Sequence, residues 1–237
     1  MNEQPIEKKE HRLGGVLDVH SIFYTLQGEG IFSGYPATFI RLAGCNLQCP
    51  GCDTEYTQGR KLMNPTEIIN AMTLQASSLQ RLVVITGGEP MRQDLYTLLK
   101  ELLPAEYVVQ VETNGTYGFS SRLRYWLRDN PEAAKRLHVV CSPKAGKVNK
   151  PLLPYISAFK YVLQAGKIDK SDGLPTSILE SGVRPARPPV EFTGRIYITP
   201  YDDGQLAMIR NSAAVRDSAL EYGYIAGIQL HKYLGVE

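Results

Sequence analysis

Three cysteines, Cys45, Cys49 and Cys52, fall within eight residues in the spacing C-x3-C-x2-C. Thiolates are the usual ligands of iron–sulfur clusters, and three on one short loop can hold three corners of a cubane. The fourth iron is then left without a protein ligand and can bind a small molecule. A structural zinc site takes four ligands, usually as two separated pairs. The one other cysteine, Cys141, stands alone far along the chain, so a zinc loop would need Cys141 or a histidine as its fourth ligand. A disulfide framework spreads its cysteines through a small secreted chain, which this trio does not do.

The trio has company. Thr86-Gly87-Gly88-Glu89-Pro90 follows an apolar run, Leu82 to Ile85, about 35 residues beyond the cysteines. Glycines let backbone approach a ligand, and carbonyls or a carboxylate take up an ammonium group. By itself, Gly-Gly after a strand is usually a turn. Leu26-Gln27-Gly28-Glu29-Gly30 offers an amide, a carboxylate and open backbone to a planar heterocycle rich in donors and acceptors, although taken alone it also reads as a glycine turn. Arg41, in Phe39-Ile40-Arg41-Leu42, carries a fork suited to a carboxylate; the alternative is an arginine on a solvent face.

The cysteine spacing together with Gly-Gly-Glu-Pro resembles the signature of the radical S-adenosylmethionine (SAM) superfamily. The remaining motifs resemble one branch of it, the 7-carboxy-7-deazaguanine synthases, from about His20 to Lys232, strongly in the first half and patchily after Lys144. The resemblance implies a single-domain α/β fold, an incomplete (β/α) barrel with a mostly parallel sheet. It implies a 4Fe-4S cluster on Cys45, Cys49 and Cys52, with SAM on its open iron, cleaved by one electron to methionine and a 5′-deoxyadenosyl radical. It implies Mg2+ at Thr54, although from residue type alone Asp53 is the better ligand.

The same resemblance assigns Gly51, Cys52, Asp53, Gly88, Ser142, Pro143, Lys144, Thr199, Pro200, Tyr201 and Asp202 to SAM. Leu26, Gln27, Gly28, Glu29, Arg41, Thr86 and His231 go to the substrate, 6-carboxy-5,6,7,8-tetrahydropterin. Glu112-Thr113-Asn114-Gly115 is expected along the SAM cleft. His231-Lys232-Tyr233-Leu234 resembles the family's C-terminal ending and equally suits packing of a last strand. An electron donor such as flavodoxin and a homodimer are further implications. Two departures stand out: Gly51 occupies a position that is often aromatic in the superfamily, where it packs near the adenine, and residues 170–189 match nothing in the family.

The elements that must position these residues alternate. Strands are expected at Val16–Tyr24, Ala37–Leu42, Leu82–Ile85, Tyr107–Val111, His138–Cys141, Phe159–Leu163, Arg195–Ile198 and Ile228–Tyr233. Asn64-Pro65 reads as a cap and first helical residue for a helix over Thr66–Leu74. Leu95, Leu98, Leu99, Leu102 and Leu103 share one helical face. Further helices are expected at Ser121–Leu127, Pro131–Leu137 and Leu206–Tyr222, the last capped by Gly223. About six helix-linked strands argue for a parallel sheet too small for an eight-fold barrel. In such sheets function gathers at the C-terminal strand ends, where the cysteines, Gly87-Gly88, Glu112-Thr113, Ser142-Pro143-Lys144 and Thr199-Pro200 all fall.

The whole chain, 1–237, is read as one domain, with 1–14 a flexible tail and 170–193 a surface loop. Lys plus Arg is 26 and Asp plus Glu is 24, a net charge of +2, which supports neither nucleic-acid binding nor a membrane-surface role. No apolar run approaches the ~20 residues that span a bilayer, and the polar N-terminus is no secretory signal, so a cytoplasmic protein is expected. Cys141 is expected as a buried thiol, and His11, His20 and His138 as structural. Two other functions stay open: activation of a glycyl-radical protein, which should lack the Gln-Gly-Glu-Gly and Cys-Asp-Thr motifs, and a non-enzymatic iron–sulfur or zinc protein.

Overall fold

A computed structural model describes residues 2–10, 12–75, 80–178 and 181–236. Among the described residues nine strands form one open sheet: β1 (Leu17–Leu26), β2 (Pro36–Leu42), β3 (Lys61–Met63), β4 (Leu82–Gly87), β5 (Val108–Thr113), β6 (Leu137–Cys141), β7 (Ile156–Leu163), β8 (Arg195–Pro200) and β9 (Ile225–Ala226). Their order is β3-β1-β2-β4-β5-β6-β7-β8-β9. From β2 through β9 neighbouring strands run parallel. At the other edge β1 is antiparallel to β2 and β3 antiparallel to β1. This is the mostly parallel, unclosed barrel expected from the alternation of elements.

Helices α1 (Pro65–Gln75), α2 (Tyr96–Leu102), α3 (Ser121–Asp129), α4 (Pro131–Ala134) and α5 (Gln205–Tyr222) carry most of the crossovers, and α6 (Leu230–Leu234) ends the chain. The start of α1 is a capping box: Asn64 Oδ1 accepts from the Glu67 amide at 2.9 Å, and Glu67 Oε2 accepts from the Asn64 amide at 2.7 Å. The leucine face of the α2 region, Leu95, Leu98, Leu99, Leu102 and Leu103, is fully buried. It meets Val83, Ile85, Val109, Val111, Val139 and Phe159 in the main core. Each such side chain contributes roughly 1.5–3 kcal/mol of transfer free energy.

Because strand side chains alternate faces, burying that set turns Phe39, Arg41, Thr86, Glu112, Val140, Lys160, Val162 and Thr199 to the other face. Register lines them up: Arg41 pairs with Thr86, Glu112 with Val140, and Val162 with Thr199. The polar residues on that face are therefore a single inner wall.

Three expectations are corrected, and one strand was not foreseen. Ile228–Tyr233 is not a strand; the last strand is Ile225–Ala226, and Leu230, Tyr233 and Leu234 fall at helical spacing on α6. The helix from Pro131 stops at Ala134, because Leu137 pairs with Val109 and is drawn into β6. Lys61–Met63 was too short to show a period, and pairs with Leu17–Val19. Residues 2–10, expected to fray, lie along the cysteine loop, with Ile6 bridged to Cys45.

The segment between β7 and β8 has no helix among its described residues, but it is not simply exposed. Leu174, Ile178 and Ala186 are buried. Arg187 pairs with Asp172 at 2.7 Å, and the Tyr161 hydroxyl donates to the Ala186 carbonyl at 2.7 Å. His11, Leu179 and Glu180, parts of earlier expectations, lie outside the described residues.

Candidate active site

One cleft of about 460 Å³ opens on the inner wall of the sheet. The cysteine loop, between β2 and β3, brings Cys45, Cys49, Gly51, Cys52, Asp53 and Thr54 to it. Leu26, Gln27, Gly28 and Glu29 come from the end of β1, Arg41 from β2, and Thr86 and Gly88 from the end of β4. Ser142 and Lys144 follow β6, while Thr199, Pro200, Tyr201 and Asp202 end β8; His231 comes from α6. Of the site residues expected from sequence, Pro143 and Gly115 are not on this lining; both are buried.

The geometry at the loop suits soft, cluster-type ligation. The Leu47 amide donates to Cys45 Sγ at 3.5 Å, a contact of the kind that tunes cluster sulfurs. Burial raises all three free thiols, Cys45 to about 12, with Cys49 and Cys52 moved the same way. Without metal they are protonated, so ligation must expel their protons. Gly87-Gly88 lies directly on the loop: a Cβ on Gly88 would stand 2.3 Å from the Gly44 carbonyl and 2.8 Å from Cys45 Cβ. Among the described residues no three His, Cys, Asp or Glu side chains converge closely enough for one ion; a cubane takes one thiolate per iron. Cys141 packs in the core on the opposite face of β6, away from the cleft, so it is no fourth ligand for a zinc loop.

Away from the cysteines the cleft has a polar floor. Glu112 accepts from Thr86 Oγ1 at 3.0 Å, Gln27 Nε2 at 3.0 Å and Gln110 Nε2 at 2.9 Å. Gln27 Oε1 in turn accepts from the Glu29 amide at 3.0 Å, and Glu29 pairs with Lys160 at 2.6 Å. Burial opposes the charge on Lys160, but Glu29 and Glu112 outweigh it and hold its pKa above the ordinary lysine value. Burial draws the Lys144 ammonium down. Phe23 and Phe39 stack at 5.3 Å and 14° beside this floor, and the Arg41 guanidinium lies 5.0 Å from the Phe23 ring.

Gln27 reaches Glu112 because β1 is antiparallel. Leu26 pairs with Pro36, at the start of β2, whereas the cysteine loop leaves from Leu42 at its end. The two motifs therefore enter the cleft from opposite ends of one strand. The C-terminal α6 closes on the first motif, since the Leu230 amide donates to the Gly28 carbonyl at 3.1 Å. A Cβ on Gly28 would fall 1.9 Å from His231 Nδ1, so the imidazole packs where only glycine leaves room.

Sequence reasoning missed Lys160 altogether and left Glu112 without a partner. The available signal was a charged residue at an alternating position of an apolar strand, Phe159-Lys160-Tyr161-Val162-Leu163. Of the other histidines, His20 bonds Glu55 at 2.6 Å and His138 packs edge-on against Phe32 at 5.0 Å.

Glu89 of the Gly-Gly-Glu-Pro motif does not face the cleft. It is fully buried and braces the backbone, accepting from the Met91 amide at 2.9 Å, Thr113 Oγ1 at 2.8 Å and the Asn114 amide at 2.8 Å. Burial pushes its pKa up from 4.5 to about 7. Between those values the folded chain holds a proton that the unfolded chain releases. Its contribution to stability is full below pH 4.5 and is lost as pH rises through 7, by roughly 3 kcal/mol. Thermal midpoints of the metal-free protein and of Glu89→Gln should thus converge from pH 5 to pH 8. A constant gap would show that Glu89 stays ionised throughout.

The family model described as a 4Fe-4S single cluster domain matches residues 26–118. The chain is 38% identical over 235 residues to the 7-carboxy-7-deazaguanine synthase of Rhodospirillum rubrum, covering 94% of each protein. It is 39% identical to that of Rickettsia prowazekii, over 94% of this chain and 90% of the relative. The crystal structure of QueE from Escherichia coli superposes with a TM-score of 0.67 at 23% identity, covering 91% of this chain and 95% of that one, a likeness of fold.

Proposed function

The chain belongs to the 7-carboxy-7-deazaguanine synthase family, and from that premise we propose that it contracts the ring of 6-carboxy-5,6,7,8-tetrahydropterin to 7-carboxy-7-deazaguanine, releasing ammonia, in queuosine and 7-deazapurine biosynthesis. It is a radical SAM lyase, and the family implies an iron–sulfur cluster and SAM. When bound, these supply a one-electron cleavage that yields a 5′-deoxyadenosyl radical. The observation that carries the reading is the single cleft joining the three-cysteine loop to the Thr86–Glu112–Gln27–Glu29–Lys160 floor.

The chain's own residues bind, orient and exclude water. The pyrimidinone edge of a pterin presents an amino group and a ring N–H, and the Glu29 and Glu112 carboxylates are the acceptors such an edge needs. Lys160 balances one of those two charges, so the floor does not repel an anionic substrate as two free carboxylates would. The stacked Phe23 and Phe39 offer a flat apolar wall, and Arg41 beside them offers a fork to the substrate carboxylate. Cys45, Cys49 and Cys52 would hold the cluster, Lys144 and Ser142 after β6 would face SAM, and Gly88 would let backbone carbonyls approach its ammonium.

Thr54 is the proposed Mg2+ position, with the substrate completing the shell, since this ion accepts few protein oxygens. Its hydroxyl donates to Asp53 Oδ1 at 3.2 Å, which keeps two hard oxygens together at the cleft wall. The protein is further proposed to be cytoplasmic and homodimeric, and to draw electrons from a flavodoxin-type reductant. No helix among the described residues is long and apolar enough to cross a membrane.

The test is anaerobic reconstitution with iron and sulfide, then SAM, dithionite, Mg2+ and the carboxypterin. Deazaguanine should form only with all of them present. Thr54→Ala should weaken the response to Mg2+, raising the concentration for half-maximal rate about tenfold. SAM cleavage with no deazaguanine product would overturn the substrate; an unchanged Mg2+ response in Thr54→Ala would overturn the metal position.

A further inference from the structure

The loop that carries the cysteines has little order of its own. Between Gly44 and Tyr56 it contains neither helix nor strand, and its internal backbone bonds include Gly44 amide to Tyr56 carbonyl at 3.1 Å and Cys52 amide to Cys49 carbonyl at 3.2 Å. The N-terminal segment crosses it and bonds it at its start, middle and end. The Glu7 amide donates to the Cys45 carbonyl at 2.7 Å, and Ile6 bridges Cys45. Gln48 Nε2 donates to the Gln4 carbonyl at 2.9 Å. The Gln4 side chain makes a two-point contact, Nε2 to the Thr54 carbonyl at 2.9 Å and Oε1 from the Tyr56 amide at 3.0 Å.

The segment is itself anchored. Arg60 forks onto Glu7 at 2.7 and 3.1 Å. The buried Arg92, two residues past Pro90, meets Glu7 and Glu10 at 3.3 Å each and donates to the Lys8 carbonyl at 3.2 Å. The Glu10 amide returns a bond to the Arg92 carbonyl at 2.8 Å. Residues 2–10 thus tie the cysteine loop to the turn after Gly87-Gly88.

We propose that residues 2–10 are a clamp on the cysteine loop and that Gln4 is its positioning residue, setting how long an iron–sulfur cluster is retained. This rests on reading that loop as the cluster site. A loop ordered by long-range bonds opens locally at a free energy set by those bonds. Each opening exposes iron–thiolate bonds to competing chelators. Gln4 closes two backbone groups at the end of the loop, at Thr54 and Tyr56, within four residues of Cys52.

The full-length chain tests it in two states. Gln4→Met keeps the bulk and removes both side-chain bonds; Glu3→Gln, on an exposed side chain of the same segment, is the control. In the metal-free protein, hydrogen exchange at the Tyr56 amide should quicken about tenfold in Gln4→Met, with Val109 and Val111 in β5 and the thermal midpoint unchanged. After anaerobic reconstitution both variants should carry the wild-type iron load. Transfer of iron to bathophenanthroline should then run about tenfold faster in Gln4→Met and at the wild-type rate in Glu3→Gln. Iron loss within twofold of wild type in Gln4→Met overturns the proposal, whatever the exchange result. If wild-type protein takes up no iron, the cluster reading itself fails, and the exchange data alone then report whether Gln4 orders the loop.

Discussion

Alanine at any one of Cys45, Cys49 or Cys52 is expected to abolish deazaguanine formation, a loss on the order of a thousandfold or more. The loop supplies three thiols to one end of the cleft, and among the described residues Cys141, the remaining cysteine, is buried in the core on the other face of β6 and cannot substitute. Two thiolates leave two irons unanchored, and SAM chelation needs one defined vacancy rather than two. Effects on the fold should be small by comparison. Cys49 is half-buried and Cys52 exposed, so their truncation removes little packing, while the buried Cys45 loses more. Iron and sulfide per chain, the thermal midpoint of metal-free protein and product yield separate these effects. Full activity in any of the three variants would refute the assignment.

The second large effect is expected at Gly87→Ala. Gly87 has φ 131°, a region closed to side-chain-bearing residues, and pairs with Leu42 across β2 and β4. A Cβ there would sit 2.0 Å from the Leu42 carbonyl oxygen and 2.6 Å from its amide nitrogen. Neither atom belongs to a flexible side chain, so the two strands must part where one launches the cysteine loop and the other Gly88. Strain and lost pairing together should cost about 3 kcal/mol or more. For a chain of this size that lowers the thermal midpoint by about 6–12 °C. SAM affinity should also fall at least tenfold, because the cysteine loop and Gly88 no longer share one surface. Equilibrium binding of SAM to the reconstituted variant and a melting curve of the metal-free protein test the two parts. A midpoint within 2 °C of wild type would contradict the packing argument.

Both predictions lie in the region that sequence describes best. The cysteines and Gly87-Gly88 are legible through local spacing: three thiols on one loop, two glycines at a strand end. Their chemistry is a property of short segments, and short segments are legible. The same holds for the Asn64 cap before Pro65 and for the leucine face of α2, which match the elements that formed. It fails at Ile228–Tyr233, where a short apolar run suits strand and helix alike and docking on Gly28 decides.

Sequence by itself showed a three-thiol loop and the alternating architecture, because residue type, spacing and hydrophobic period are written within tens of residues, and the reaction class followed from the resemblance of those motifs to a family. Only the tertiary structure decided which polar residues share the cleft. Gln27 meets Glu112 across 85 residues and Lys160 meets Glu29 across 131, and both contacts depend on strand order, on the reversed direction of β1 and on register. A strand's period of two says that its residues alternate between faces; it does not say which face is the core or which strand lies alongside. The N-terminal segment makes the same point, since its polar composition suggests a solvated end, whereas Arg60, Arg92 and the cysteine loop give it partners.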